Sequence, residues 1–369
     1  MTNDPINVWS YLEQYSEDEN EIIEIVKEVF RSGKLILGEN VSMFEKEFSS
    51  FVEAKYGVGV GNGTDAIELA LKAAGIKDGD EVITVSNTAV PTVSAIVETG
   101  GKPVFCDIDE ETYNISIKSV KEMISSKTKA IVCVHLYGHP AKITELKKIC
   151  NEKNIILIED CAQSHGAKIE NKTCGSFGDI SAFSFYPTKI LGTFGDGGMC
   201  VTSDSVYYKK LKMLRFYGME DQYFSLIDGV NSRLDEVHAA ILRYKLKNIK
   251  NEINRRREIA KIYNEGLVET DLILPVEKKC SFHTYYLYVV RHSKRDKILE
   301  DLKKMNINLN ISYPWPIHTM PPFEKYKKGS MSKTELVAKE IFSLPMYPGL
   351  TDDKAHQVIE SIKKILGFN

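Results

Sequence analysis

The chain has 369 residues, 43% of them hydrophobic and 27% charged, with a net charge of -3, the composition of a soluble globular protein of roughly two domains. That balance, with no dense Lys/Arg stripe, excludes a nucleic-acid footprint, and the basic run Arg255-Arg256-Arg257 reads as a solvated helix face. No apolar run approaches the ~18 residues of a membrane span, and the polar opening MTNDPINVWSYLEQYSEDENE lacks the apolar core of a secretory leader, so the chain is expected in the cytoplasm with no membrane partner.

In chain order, short β-branched runs alternate with helical patterns from residue 57 to about 203. Candidate strands are Glu81 to Ser86, Pro103 to Asp107, Ala130 to Leu136, Ile155 to Asp160, Ile180 to Phe185 and Met199 to Thr202. Between them lie amphipathic segments. In TDAIELALKAAG the residues Ile67, Ala70, Leu71 and Ala74 share one helical face, and Gly75 can close the helix in the left-handed conformation. AKITELKKICNEK repeats the pattern with Ile143, Leu146 and Ile149. This alternation predicts an α/β fold whose mostly parallel sheet is covered on both faces. Beyond Asp204 the pattern turns helical, with one long helix expected from Asp235 past Arg257. The remainder, strand-like at His283 to Val290 and ending in a helix from Asp352 to Leu366, reads as a smaller α+β domain. The expected division is a large domain over residues 1–250, including the N-terminal segment, and a small one over 251–369.

The seven cysteines contain no C-x-x-C pair and read as reduced, structural thiols. Cys133/His135 and Cys161/His165 have no second pair at zinc-finger spacing, so no metal is expected.

Lys189 is the only charged side chain between Ile180 and Gly195, in ISAFSFYPTKILGTFG. A lysine in apolar surroundings is desolvated, which favours the neutral amine that attacks carbonyls; the bland alternative is a snorkelling lysine at a strand end. Ligands of open parallel sheets bind beyond the carboxyl ends of the strands. Asp160 and Lys189 both lie there, although Glu159 adjoins Asp160 and the strand pleat lets only one of the two carboxylates face the crevice. The segment GVGVGNGTDAIELAL opens a helix whose free N–H groups suit a single phosphate, or is a plain strand-to-helix turn. A dinucleotide fingerprint fails, because the positions needing its last glycine hold Asn62, Thr64 or Ala66.

A phosphate turn, an isolated lysine and a carboxylate on one sheet suit pyridoxal 5'-phosphate. The motifs SGKLILGENVSMFEKEF, GNGTDAIELAL, NTAVPTVSAI, IEDCAQSHGA, FSFYPTKILGTFGDGGM, GVNSRLDEVHAAIL and YPWPIHTMP occur in that order over residues 32 to 321. They resemble the DegT/DnrJ/EryC1/StrS nucleotide-sugar aminotransferases, which are aspartate-aminotransferase-like enzymes of fold type I. The resemblance implies a three-layer αβα large domain, a smaller C-terminal domain and a homodimer with shared active sites. It implies that Lys189 binds the cofactor through its amine and then shuttles a proton, with Asp160 beside the pyridine nitrogen and Gln163 near the phenolic oxygen. Gly63, Thr64, the backbone of Asp65, and Ser184 would hold the phosphate, and Asn231 would reach it from the second subunit. Tyr186, Tyr217, Tyr313 and His318 are candidates for the sugar and its diphosphate, with plain core aromatics as the alternative.

One position departs from the pattern. Many members stack an aromatic side chain on the cofactor where this chain has Ala89 in NTAVPTV. The small residue and YPWPIHTM resemble the branch acting on dTDP-linked 3-keto-6-deoxyhexoses, with glutamate as the expected amino donor. The alternatives are a 4-keto-sugar aminotransferase on a UDP- or dTDP-sugar, and a regulatory protein that keeps the fold. Related dehydratases carry histidine in place of the lysine, and Lys189 argues against them.

Overall fold

A computed structural model describes residues 5–221 and 223–368. Its centre is a seven-stranded sheet of β1 (Tyr56–Val60), β2 (Glu81–Val85), β3 (Lys102–Cys106), β4 (Thr128–Val134), β5 (Ile156–Asp160), β6 (Ile180–Ser184) and β7 (Gly198–Thr202). The spatial order is β1-β7-β6-β5-β4-β2-β3. Strand β7 runs antiparallel to both β1 and β6, and all other pairings are parallel.

The helices are α1 (Leu12–Ser32), α2 (Glu39–Phe51), α3 (Gly63–Ala73), α4 (Val90–Glu98), α5 (Ile117–Met123), α6 (Ile143–Lys153), α7 (Ser205–Leu214), α8 (Glu236–Leu246), α9 (Ile249–Leu267), α10 (Arg295–Lys304), α11 (Ser332–Glu340) and α12 (Asp352–Leu366). Neighbouring strand residues enter opposite cores, as the pleat requires. Val82, Ala130, Val132, Ile158 and Ala182 pack with α3 and α4. On the other face, Ile83, Ile131 and Leu157 meet α5 and α6, while Phe183 and Val201 meet α2 and α8. This two-sided burial explains why the strands read as continuous apolar runs.

Strand β1 hides behind its glycines. A Cβ on Gly57 would lie 2.6 Å from the carbonyl oxygen of Glu45, so the glycine lets α2 press on the strand backbone. The long helix expected from Asp235 past Arg257 is instead two helices, α8 and α9, separated at Lys247 and Asn248. At the break the Asn248 carbonyl oxygen accepts the Asn251 N–H, and its side-chain oxygen accepts from the Asn251 amide at 2.6 Å. Such short-range bonding competes with the helix ladder. Nor is the basic run all solvated. Arg256 is buried, donating to the carbonyls of Tyr285, Tyr286 and Met346.

The aromatic run at His283 to Val290 is only partly strand. Tyr288–Arg291 pairs antiparallel with Ile341–Leu344, whereas the N–H groups of Thr284 and Leu287 donate to Gly138 and Tyr137 across the molecule. A second core of Tyr263, Tyr288, Val290, Phe342, Leu344, Val358 and Ile359 joins α9, these strands and α12. We propose the division near residue 250, within α9, because Ile249 and Ile253 pack with the first core and Ile259, Tyr263 and Leu267 with the second. The N-terminal segment crosses that division. Ile6 is buried in the second core, and Ile6–Asn7 pairs in parallel with Ile307–Asn308. No helix among the described residues is long and apolar enough to cross a membrane.

Candidate active site

The parallel strands β5 and β6 end side by side, delivering Asp160 and the loop with Lys189 to one edge of the sheet. The pleat assigns the adjacent carboxylates. Glu159 points into the layer holding His135 and accepts from His135 Nε2 at 2.9 Å, from the N–H groups of Gly175, Phe177 and Gly178, and from Ser181 Oγ. The Ala141 N–H donates to His135 Nδ1, so the ring proton sits on Nε2 and faces Glu159. Although His135, Glu159 and Cys161 converge within 4.8 Å, this carboxylate is occupied by protein donors.

Asp160 faces the crevice. Its Oδ2 accepts from Thr92 Oγ1 at 2.8 Å and its Oδ1 from the Ala162 N–H at 3.1 Å. Burial raises its pKa against the opposing pull of Thr92, Ala162 and the Lys189 charge. The half-buried Lys189 places Nζ 4.8 Å from the centre of the Tyr286 ring. Its loop is anchored at its base: the Lys189 N–H donates to Tyr186, Thr193 Oγ1 meets His238 Nδ1 at 2.8 Å, and Lys245 Nζ donates to the Gly192 carbonyl at 2.9 Å. A cavity of about 210 Å³ between this loop and the N-terminal segment is lined by Trp9, Tyr11, Lys189, Phe194 and Lys245 among others.

Gln163 bridges two neighbours, accepting the Tyr137 N–H and donating to the Tyr313 hydroxyl, each at 2.9 Å. Tyr313 is thereby tied to the crevice, and burial together with Tyr286 and Asp160 keeps its phenol protonated. Ala89 is the N-cap of α4 and presents only a methyl group.

Helix α3 opens at the same edge. Its first-turn N–H groups at Gly63 and Thr64 have no intrahelical acceptor. A Cβ on Gly63 would lie 2.6 Å from that of Ser184, so the end of β6 touches the start of the helix. The backbone N–H of Asp65, expected at the phosphate, is engaged here by Asn62, which caps the helix and whose Oδ1 accepts it at 2.9 Å. The Asp65 carboxylate turns to Ser232 Oγ, which in turn accepts the Gly61 N–H. Asn231, next to Ser232, is exposed.

The sugar candidates separate. Tyr186 and Tyr217 are 50% and 45% exposed and have rings available to a ligand. His318 is fully buried, with Nδ1 2.6 Å from Ser86 Oγ and Nε2 3.0 Å from Glu335, so both ring nitrogens have protein partners. Sequence reasoning missed Asn62, Thr88, Thr92 and Tyr286. The first three lie in quoted motifs, and the signal was the N-cap identity of Asn62 and the i, i+4 spacing of the threonines. Tyr286 carried no signal within an apparent strand.

Known proteins are similar to this chain along nearly its whole length. The chain is 46% identical over 367 residues, covering 97% of it and 98% of the relative, to a dTDP-3-amino-3,4,6-trideoxy-alpha-D-glucose transaminase of Micromonospora megalomicea subsp. nigra. It is 41% identical, covering 95% of each chain, to a pleiotropic regulatory protein of Geobacillus stearothermophilus. The crystal structure of S. venezuelae DesV in complex with a ketimine intermediate superposes with a TM-score of 0.95 at 35% identity, covering 98% of both chains. A family model matches residues 16–363. The anchored lysine, the buried carboxylate and the open helix start thus lie within a chain that belongs to the DegT/DnrJ/EryC1/StrS aminotransferase family.

Proposed function

We propose that the chain is a nucleotide-sugar aminotransferase that uses pyridoxal 5'-phosphate and glutamate to convert a dTDP-linked 3-keto-6-deoxyhexose into its 3-amino sugar. The observation that carries this reading is the placement of Asp160 and Lys189 on one sheet edge, beside a helix start with free N–H groups. The residues fit the cofactor. Gly63, Thr64 and Ser184 would hold its phosphate, Asp160 its ring nitrogen, Gln163 its phenolic oxygen and Lys189 its carbonyl carbon. When bound, the group supplies a carbonyl that exchanges amino groups and a ring that accepts the electrons released at the substrate carbon.

Asp160, held between Thr92 and Ala162, would as a carboxylate accept a hydrogen bond from the cofactor's ring nitrogen and so keep a proton there. Lys189 Nζ, held on its anchored loop, would take the proton from the donor's α-carbon and give it back to the carbon that had been the cofactor's carbonyl; with the keto sugar the same amine would act in the reverse order. Tyr186, Tyr217 and Tyr313 are proposed to flank the sugar and its diphosphate. The active form is proposed to be a homodimer in which Asn231 completes the partner's phosphate site. Exposed Phe224 and Leu226, on the segment between Tyr217 and Asn231, supply apolar surface for that contact.

The name of the 41% identical relative favours a second reading, a regulator that keeps the fold. One experiment separates the two. Purified protein loaded with the cofactor is treated with glutamate and then with dTDP-linked 3-keto or 4-keto sugar, and the amino sugar is identified by mass spectrometry. Amino sugar from the 3-keto compound is expected, with borohydride fixing the cofactor to Lys189 in wild type and not in Lys189→Ala. Turnover of the 4-keto compound alone would overturn the substrate assignment, and undiminished turnover by Lys189→Ala would overturn the enzyme reading.

A further inference from the structure

The carboxylate of Asp160 is gripped by a short chain of hydroxyl groups as well as by its own strand. Thr92 Oγ1 lies 2.8 Å from Asp160 Oδ2, and Thr88 Oγ1 lies 3.0 Å from Thr92 Oγ1. Both threonines are buried, at 2% exposure for Thr88 and 1% for Thr92. An ionised carboxylate only accepts, so the Thr92 proton points at Asp160 and the Thr92 oxygen takes the proton of Thr88. Thr88 lies on the loop from β2 into α4 and Thr92 in the first turn of that helix, a segment whose geometry is fixed at both ends. Ser86 Oγ is bound to His318 upstream, and the Thr92 N–H donates to the Ala89 carbonyl at the start of the helix.

Apart from the Ala162 N–H, the other groups near Asp160 do not bond to its carboxylate. Lys189 acts on it through its charge, and Tyr313, Cys133 and Cys161 feel the charge of Asp160. Thr92 is therefore its one side-chain hydrogen-bond donor among the described residues.

We propose that Thr92, backed by Thr88, is a positioning residue that keeps the Asp160 carboxylate ionised and oriented into the crevice, and so governs how tightly the cofactor is held. Burial alone would favour the protonated acid, which cannot accept the ring proton. The Thr92 hydroxyl offsets that, and Thr88 strengthens it by polarising the same bond. The inference rests on the assignment of Asp160 to the ring nitrogen made above.

The test uses full-length wild type, Thr92→Val, Thr92→Ser and Thr88→Val. Three readouts are taken: the dissociation constant for pyridoxal 5'-phosphate by spectral titration, the pH midpoint of the bound cofactor's visible band, and the melting temperature of the cofactor-free protein. Thr92→Val keeps the side-chain shape, so an affinity loss of about tenfold with a shifted band midpoint is expected, both restored in Thr92→Ser. Thr88→Val is expected to lose about threefold. Thr92→Val binding within twofold of wild type, or a lower melting temperature with unchanged affinity and midpoint, overturns the proposal. If Thr92→Val does not fold, unchanged affinity in Thr88→Val overturns it instead. A wild-type chain that binds no cofactor would overturn the assignment of the site itself, a result distinct from a failure of Thr92.

Discussion

Two neighbouring carboxylates on one strand are put to different uses by the pleat. Glu159 is buried under four protein donors and a histidine, a structural knot that ties β4, β5 and β6 to the turn at Gly175. Burial pushes its carboxyl toward the neutral form, but the bonds from His135, Gly175 and Gly178 outweigh burial and hold its pKa below the ordinary 4.5. A carboxyl lowered in the folded state stabilises the protein above its unfolded value and loses that contribution as pH falls through the folded one. Glu159→Gln turns an amide donor toward backbone N–H groups and is expected to destabilise the chain by about 3 kcal/mol at neutral pH, measured by urea unfolding. The difference from wild type should shrink as the medium is taken below pH 4.5. A difference that is constant down to acid pH would show that the charge of Glu159 is not what the knot uses.

At the scale of elements, the start of α3 does the work that the glycine-rich run hinted at. Asn62 closes one N–H and leaves those of Gly63 and Thr64 facing the edge of the sheet, with Ser184 in contact. Gly63→Ala forces a Cβ against Ser184, so it should part helix and strand and weaken pyridoxal 5'-phosphate binding by about tenfold. Asn62→Ala should lower stability by about 1 kcal/mol through the lost cap. Cofactor titration and urea unfolding of the two variants check this, and a Gly63→Ala protein with wild-type affinity would remove α3 from the phosphate site. The apolar spacing of α3 and α6 was legible in the residues because α6 buries one stripe and α3 sinks most of its circumference, leaving Asp65, Glu68 and Lys72 partly open on the far side. The break between α8 and α9 was not, since the apolar pattern continues through it and the chain turns for reasons local to Asn248 and Asn251.

For the whole molecule, the assignment of Asn231 to a second subunit makes a quantitative prediction. Lys189→Ala and Asn231→Ala are each expected to be inactive or nearly so as homodimers. If Asn231 acts across the interface, a mixed dimer has one site with both lesions and one with neither. Unfolding and refolding an equal mixture should then restore about a quarter of wild-type turnover, half of the dimers carrying one intact site each. No recovery, with mixed dimers present by native mass spectrometry, would place Asn231 in the site of its own chain.

The sequence by itself determined the layered α/β architecture, the isolation of Lys189 and the ordered motifs, because each is written in local spacing and residue type. Only the tertiary structure decided that Asp160 rather than Glu159 meets the crevice, since period-two alternation needs a packed partner to say which face is which. It also buried His318 between Ser86 and Glu335, which residue type alone did not reveal. And it joined Thr88 and Thr92 to Asp160, a contact between residues 68 positions apart that only a folded chain can make.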